Sequence, residues 1–153
     1  MKKIFIAIWL LILNVSLYAL DFTIVGPCNK APLFNKKINV SAEVNLGELS
    51  VAVLTKNQIP FKGAAEGINS IYNTPVGIDA IEVVSDTKMR AYGWCFSIDG
   101  EVPDKMPDQI PVFKDSKKVL WWFAYSTQDM GKWVDYCVPS YNVRAAQFCG
   151  NNN

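Results

Sequence analysis

The amino-acid sequence points to a small, single-domain α+β fold, rich in β-structure, with a mainly antiparallel sheet, at most one short helix and two disulfides. Three observations carry this expectation. Of the 153 residues 50% are hydrophobic and 19% charged, with a formal net charge of +1, so one domain can bury enough apolar surface to offset its chain entropy. The apolar segments are short, β-branched or aromatic, and bounded by Gly, Pro or Asn. Four cysteines follow what reads as an export leader.

The leader consists of Met1-Lys2-Lys3, an unbroken apolar run from Ile4 to Leu13, and a milder stretch ending at Ala19, after which cleavage is expected. The apolar run is far shorter than the roughly 20 residues that a membrane span requires. A signal peptide over 1–19 and one domain over 20–153 follow, with no stable membrane insertion after cleavage and a periplasmic or secreted destination. Loss of Lys2 and Lys3 leaves 13 basic against 14 acidic side chains, a nearly neutral surface.

Along the domain, Phe22 to Val25, Ile38 to Val44 and Leu49 to Leu54 read as strands because they are rich in β-branched residues between turn formers. The stretch from Phe61 to Pro75 is broken by Gly63, Gly67, Asn69 and Asn73, and only Ala64 to Tyr72 could form a short helix. A strand over Ala80 to Val84, a turn at Ser85-Asp86 and renewed sheet from Met89 come next. From Tyr92 the alternation is clear: Tyr92, Trp94, Phe96 and Ile98 share one face, and Gly93, Cys95 and Ser97 the other. Asp99-Gly100 then supplies a tight reversal, since both residues tolerate positive φ. Pro103, Pro107 and Pro111 make a surface loop. After the turn at Asp115 to Lys118, Val119 to Tyr125 is apolar on both faces and reads as a central strand, followed by a last strand over Trp133 to Val138.

The cysteines, Cys28, Cys95, Cys137 and Cys149, contain no close pair of the kind that builds a zinc site, so inert bridges are expected. Four cysteines allow three connectivities, which spacing alone leaves open. Cys95–Cys137 with Cys28–Cys149 is favoured, because the first would tie two core strands and the second would clamp the two ends. Each bridge would contribute about 2–4 kcal/mol.

The absence of histidine removes Ser-His-Asp and Cys-His catalysis and imidazole metal ligands. No basic stripe offers a grip for nucleic acid. Among the tryptophans, Trp94 and Trp121 are expected in the core, whereas Trp122, on the opposite side of its strand, and Trp133, among polar residues, are the candidates for an exposed aromatic platform. Asp99, Glu101, Asp104 and Asp108 place four carboxylates within ten residues but match no complete calcium loop, and acids at turns ordinarily face water. Lys114, Lys117 and Lys118 read as a solvated turn that keeps a hydrophobic strand soluble.

The run Tyr92-Gly93-Trp94-Cys95-Phe96-Ser97-Ile98-Asp99-Gly100, followed about twenty residues later by Lys117-Lys118-Val119-Leu120-Trp121-Trp122-Phe123, resembles the bacterial domain family named after the C-terminal domain of transcobalamin. In that family a Gly-Trp-aromatic strand ends in an Asn-Gly or Asp-Gly turn, and a Trp-bearing strand closes the sheet. The resemblance spans roughly Val40 to Tyr125. It implies a β-grasp-like sheet in an exported accessory or binding module, and it implies no catalytic residue. Corrinoids enter as candidate ligands through the vertebrate carriers. The expected function is a non-enzymatic binding module without cofactor or metal, whose loops around Asp99, Glu101 and Phe113 and whose aromatics Trp122 and Trp133 hold a small molecule, a glycan or a protein. The alternative is a structural or protein-interaction component of the cell envelope.

Overall fold

The computed structural model describes residues 18–40 and 43–150. The expected leader lies outside the described residues except for Tyr18 and Ala19, which open the first strand. In chain order the elements are β1 (Tyr18–Val25), β2 (Pro32–Val40), β3 (Val44–Asn45), α1 (Leu46–Lys56), β4 (Phe61–Ala64), β5 (Gly67–Ile71), β6 (Ile81–Val83), β7 (Lys88–Ile98), β8 (Pro111–Val112), β9 (Lys118–Asp129), β10 (Lys132–Trp133), β11 (Val138–Pro139) and α2 (Ala146–Cys149). Short 3₁₀ turns sit at Gly77–Ala80, Pro107–Gln109 and Ser140–Asn142.

The main sheet runs in the order β2-β1-β9-β7-β6. β1 and β9 lie parallel at its centre, and the remaining pairs are antiparallel. One edge of β9 meets β1 through Lys118–Trp122 and then β11 and β10 through its later residues, while β7 lines its other edge throughout. With α1 packed across one face, this is a β-grasp arrangement. Val119 to Tyr125, apolar on both sides, is the central strand because both of its faces are covered.

The first face is the main core. Leu20, Phe22 and Ile24 of β1 and Val119 and Trp121 of β9 pack under Leu46, Leu49, Val53 and Leu54 of α1. Trp121 is 1% exposed, and its indole N–H donates to Ser50 Oγ at 3.0 Å, which satisfies both groups inside the core. Farther along this face, Tyr92 and Phe123 meet Phe148 of α2 edge to face, with centroids 4.6 and 5.3 Å away. On the second face the segment 137–141 lies over Val25, Trp122 and Ala124. The cysteines pair as Cys28–Cys149 and Cys95–Cys137, with Cα–Cα separations of 5.3 and 5.8 Å.

Three local expectations are corrected. Leu49 to Leu54 is helix, not strand. Leu46, Leu49, Ser50, Val53 and Leu54 recur at helical spacing and are buried together, and Asn45 caps the helix by accepting the N–H of Glu48 at 2.8 Å. Amphipathic period and cap outweigh the β-branched content of Val51 and Val53. Ala64 to Tyr72 is not a helix but the return arm of the β4–β5 hairpin; Gly63, at φ 125°, allows its close approach to Gly67. Trp133 to Val138 is not one strand, because Cys137 at φ 53° breaks it into β10 and β11.

Candidate functional site

The second face of the sheet is only partly covered, and where it is bare it holds a groove of about 260 Å³. The register explains its floor. Gly93 lies opposite Ala124 and Ala91 opposite Ser126, so four small residues sit side by side on one face of two neighbouring strands. Trp133 and Tyr136 line the groove above them, with ring centroids 6.4 Å apart and planes inclined by 36°. They are 42% and 68% exposed, unusual for rings of this size.

Several bonds hold this pair in place. Met130 and Gly131, both at positive φ, turn the chain from β9 into β10, and Trp133 pairs with Gln128. The Asp135 carboxylate accepts the backbone N–H of Thr127 at 2.6 Å, and the N–H of Cys137 donates to Ser126 Oγ at 3.3 Å. The Cys95–Cys137 bridge then ties the segment to the middle of β7. The aromatic pair therefore stands on a braced support, so a ligand need not order it on binding.

On the opposite, first face of the same strands, Arg90 lies 5.1 Å from the centre of the Tyr125 ring and 3.0 Å from Glu82. Burial opposes its charge, but the hydrogen bond and charge of Glu82 outweigh that and hold the guanidinium above its usual range. Tyr92 donates its hydroxyl to the same carboxylate at 2.5 Å; burial first, then Glu82, push its pKa well above the ordinary tyrosine value. One Glu82 oxygen thus accepts from both the cation and the phenol, while Arg90 Nε is buried without a partner among the described residues.

The five residues expected at a site are dispersed. Trp133 lines the groove. Trp122 does not: it is 8% exposed, and its indole N–H donates to the Cys137 carbonyl at 2.9 Å, because the disulfide draws that segment over it. Asp99 closes the turn at φ 52° and accepts the N–H groups of Lys117 and Lys118 at 2.7 and 2.8 Å, so its carboxylate is engaged in joining two loops. Glu101 is exposed on the same turn and bridges back to Ile98 through its backbone. Phe113, 62% exposed, lines a wider cavity of about 950 Å³ between the start of α1 and the 108–115 loop, where Glu48 and Asp108 also stand. Gly93 and Tyr136 were not among the expected site residues. Gly93 carried a signal, since a glycine inside an aromatic strand marks a close approach or an open place. Tyr136 meets Trp133 only through the break at Cys137, which local pattern does not reveal.

Among the described residues no group of three or more His, Cys, Asp or Glu side chains is placed to hold a metal ion, and no helix is long and apolar enough to cross a membrane. No family model matches the sequence, and no curated protein matches it. A solved structure from Ruminococcus gnavus ATCC 29149, named a "putative metal binding protein", is similar at 17% identity and a TM-score of 0.42, covering 68% of this chain and 95% of that one. At that level nothing of its ligand carries over to this chain.

Proposed function

We propose that the chain is an exported, non-catalytic binding module that takes a ring-sized group of its ligand into the groove between Gly93 and the Trp133–Tyr136 pair. One observation carries this reading: two large exposed rings are held by a disulfide-braced segment above a floor of small residues. Aromatic faces supply contact area at low entropy cost, and a braced wall keeps that cost low. The volume is just below the ~300 Å³ at which ligand pockets usually begin, which suits a sugar ring, a small planar molecule or a protein side chain. A corrinoid macrocycle is larger than this groove.

Kinship with the transcobalamin C-terminal domain family is part of the same reading. Its support is the Gly93-Trp94 strand, the Asp99-Gly100 turn and the β-grasp strand order. Export is supported by the Met1–Ala19 pattern together with the two bridges.

Titration of tryptophan emission with oligosaccharides and small planar aromatic molecules tests the proposal. The expected result is a saturable change that Trp133→Ala abolishes. A ligand bound equally well by that variant, or one chemically converted on binding, overturns it.

A further inference from the structure

We infer that the groove's occupant is an extended peptide segment that adds as a strand to the unpaired part of the outer edge of β7 and lays one large apolar side chain across Gly93. This rests on the reading of the groove given above. β7 has eleven residues, yet β6 covers only Met89, Arg90 and Ala91 of its outer edge, and Glu101 folds back on Ile98 at the other end. Backbone direction alternates along a strand, and here its phase is fixed at both ends. The Asp99 N–H donates to the Lys118 carbonyl at 2.8 Å and the Thr87 carbonyl accepts from Met130 at 2.9 Å, so odd positions face β9. The Lys88 carbonyl accepts from Val84 at 2.9 Å, and Ile98 exchanges bonds of 3.0 Å with Glu101, so even positions face outward. The β7–β9 register is unbroken between these points. The N–H and carbonyl groups of Trp94 and Phe96 therefore point outward from this edge, and among the described residues no backbone group is hydrogen-bonded to them there; β5 runs close to β7 without pairing with it, and the edge cavity lies between them.

Cavities flank this stretch on both sides. The groove and a second cavity of about 550 Å³ along the edge are both lined by Tyr92, Gly93 and Trp94. A strand paired to Trp94 sends alternate side chains to opposite faces. The residue opposite Gly93 falls on the groove side, where a Cβ built on Gly93 meets nothing within 4 Å, leaving room for a large side chain directed toward Trp133. Its neighbours fall toward the edge cavity, where Lys62 is the one charged residue among the described residues that line it, so an acidic residue next to the apolar one is complementary. The two outer edges of the sheet also differ. β2 carries Pro32, Lys36 and Lys37, which discourage strand addition, whereas Tyr92 to Ser97 contains neither charge nor proline.

The test is an array of eight-residue peptides of varied composition, probed with the purified chain with its disulfides intact, followed by amide exchange with the best binder. Binders are expected to pair Phe, Tyr, Trp, Leu or Met with an adjacent Asp or Glu. Exchange at the Trp94 and Phe96 amides should slow by about tenfold or more. Gly93→Val should weaken binding by about tenfold, equivalent to 1.4 kcal/mol, with an unchanged melting temperature. Lys62→Glu should remove the preference for acid, and N-methylation of the pairing peptide amide should abolish binding. Absence of any binder, or a bound peptide that leaves exchange at Trp94 and Phe96 unchanged, overturns the inference. A sugar that quenches Trp133 without protecting those amides does so too, while upholding the groove. A peptide that protects both amides but ignores Trp133→Ala overturns the groove reading instead.

Discussion

Replacing Cys95 and Cys137 together by alanine cuts the brace that supports the aromatic pair. The bridge spans 42 residues of sequence, for which the loop-entropy relation gives about 4 kcal/mol at 25 °C. Against the 5–15 kcal/mol total of typical domains, about 4 kcal/mol is a large share and lowers the folded-to-unfolded ratio roughly a thousandfold. The noncovalent ties from Trp122 to the Cys137 carbonyl and from Cys137 to Ser126 remain, so the segment loosens rather than departs. Urea denaturation followed by tryptophan emission should show the midpoint falling with little change in slope. The native emission maximum should shift to the red as Trp122 gains access to water, and groove ligands should weaken because Trp133 and Tyr136 now need ordering. A loss below about 1 kcal/mol, with native emission and binding unaltered, would refute the view that this bridge stabilises the domain and holds the groove.

Three further predictions concern stability. The raised Tyr92 pKa makes the neutral phenol the stabilised form, so its contribution is complete below pH 10.0, where the unfolded tyrosine begins to ionise, and is lost progressively as pH climbs from there through the higher folded-state value. Tyr92→Phe should therefore show a shallower decline of urea midpoint under alkaline conditions than the parent. Asp99→Ala should cost about 2 kcal/mol through two lost hydrogen bonds and a strained positive φ, Asp99→Asn about half as much, and neither should alter groove binding; denaturation and titration together check this. Gly47→Ala would gain about 1 kcal/mol of helix propensity, but the new Cβ would stand 1.9 Å from the Ala65 carbonyl oxygen, and overpacking costs about 3 kcal/mol. Thermal melts should show a net loss, and a stabilised variant would contradict the close docking of α1 on the hairpin.

The readable parts of the chain were those set by interactions among near neighbours. Period-two alternation placed β7, double-sided apolarity placed β9, and the tolerance of Asp99-Gly100 for positive φ placed their turn. The helical signal of α1 lies in the Asn45 cap and the spacing of Leu46, Leu49 and Val53, whereas the β-branched content of the same segment points to the strand that the structure does not form. Candidate residues fared less evenly for the same reason. Trp133 could be singled out because its polar neighbours suggested exposure, whereas the fate of Trp122 turned on a segment fifteen residues away.

Composition and local pattern thus establish a β-rich domain with an even number of cysteines and a strongly alternating tryptophan strand, since each of these depends on residues a few places apart. Long-range packing establishes the rest: the parallel contact of β1 with β9, the bond between Ser50 and Trp121 across 71 positions, the burial of Trp122, and the bare Gly93 floor beside Trp133 and Tyr136. The physical reason is that a side chain's exposure belongs to whatever closes over it, and here the closing elements are brought from distant sequence by sheet register and a disulfide.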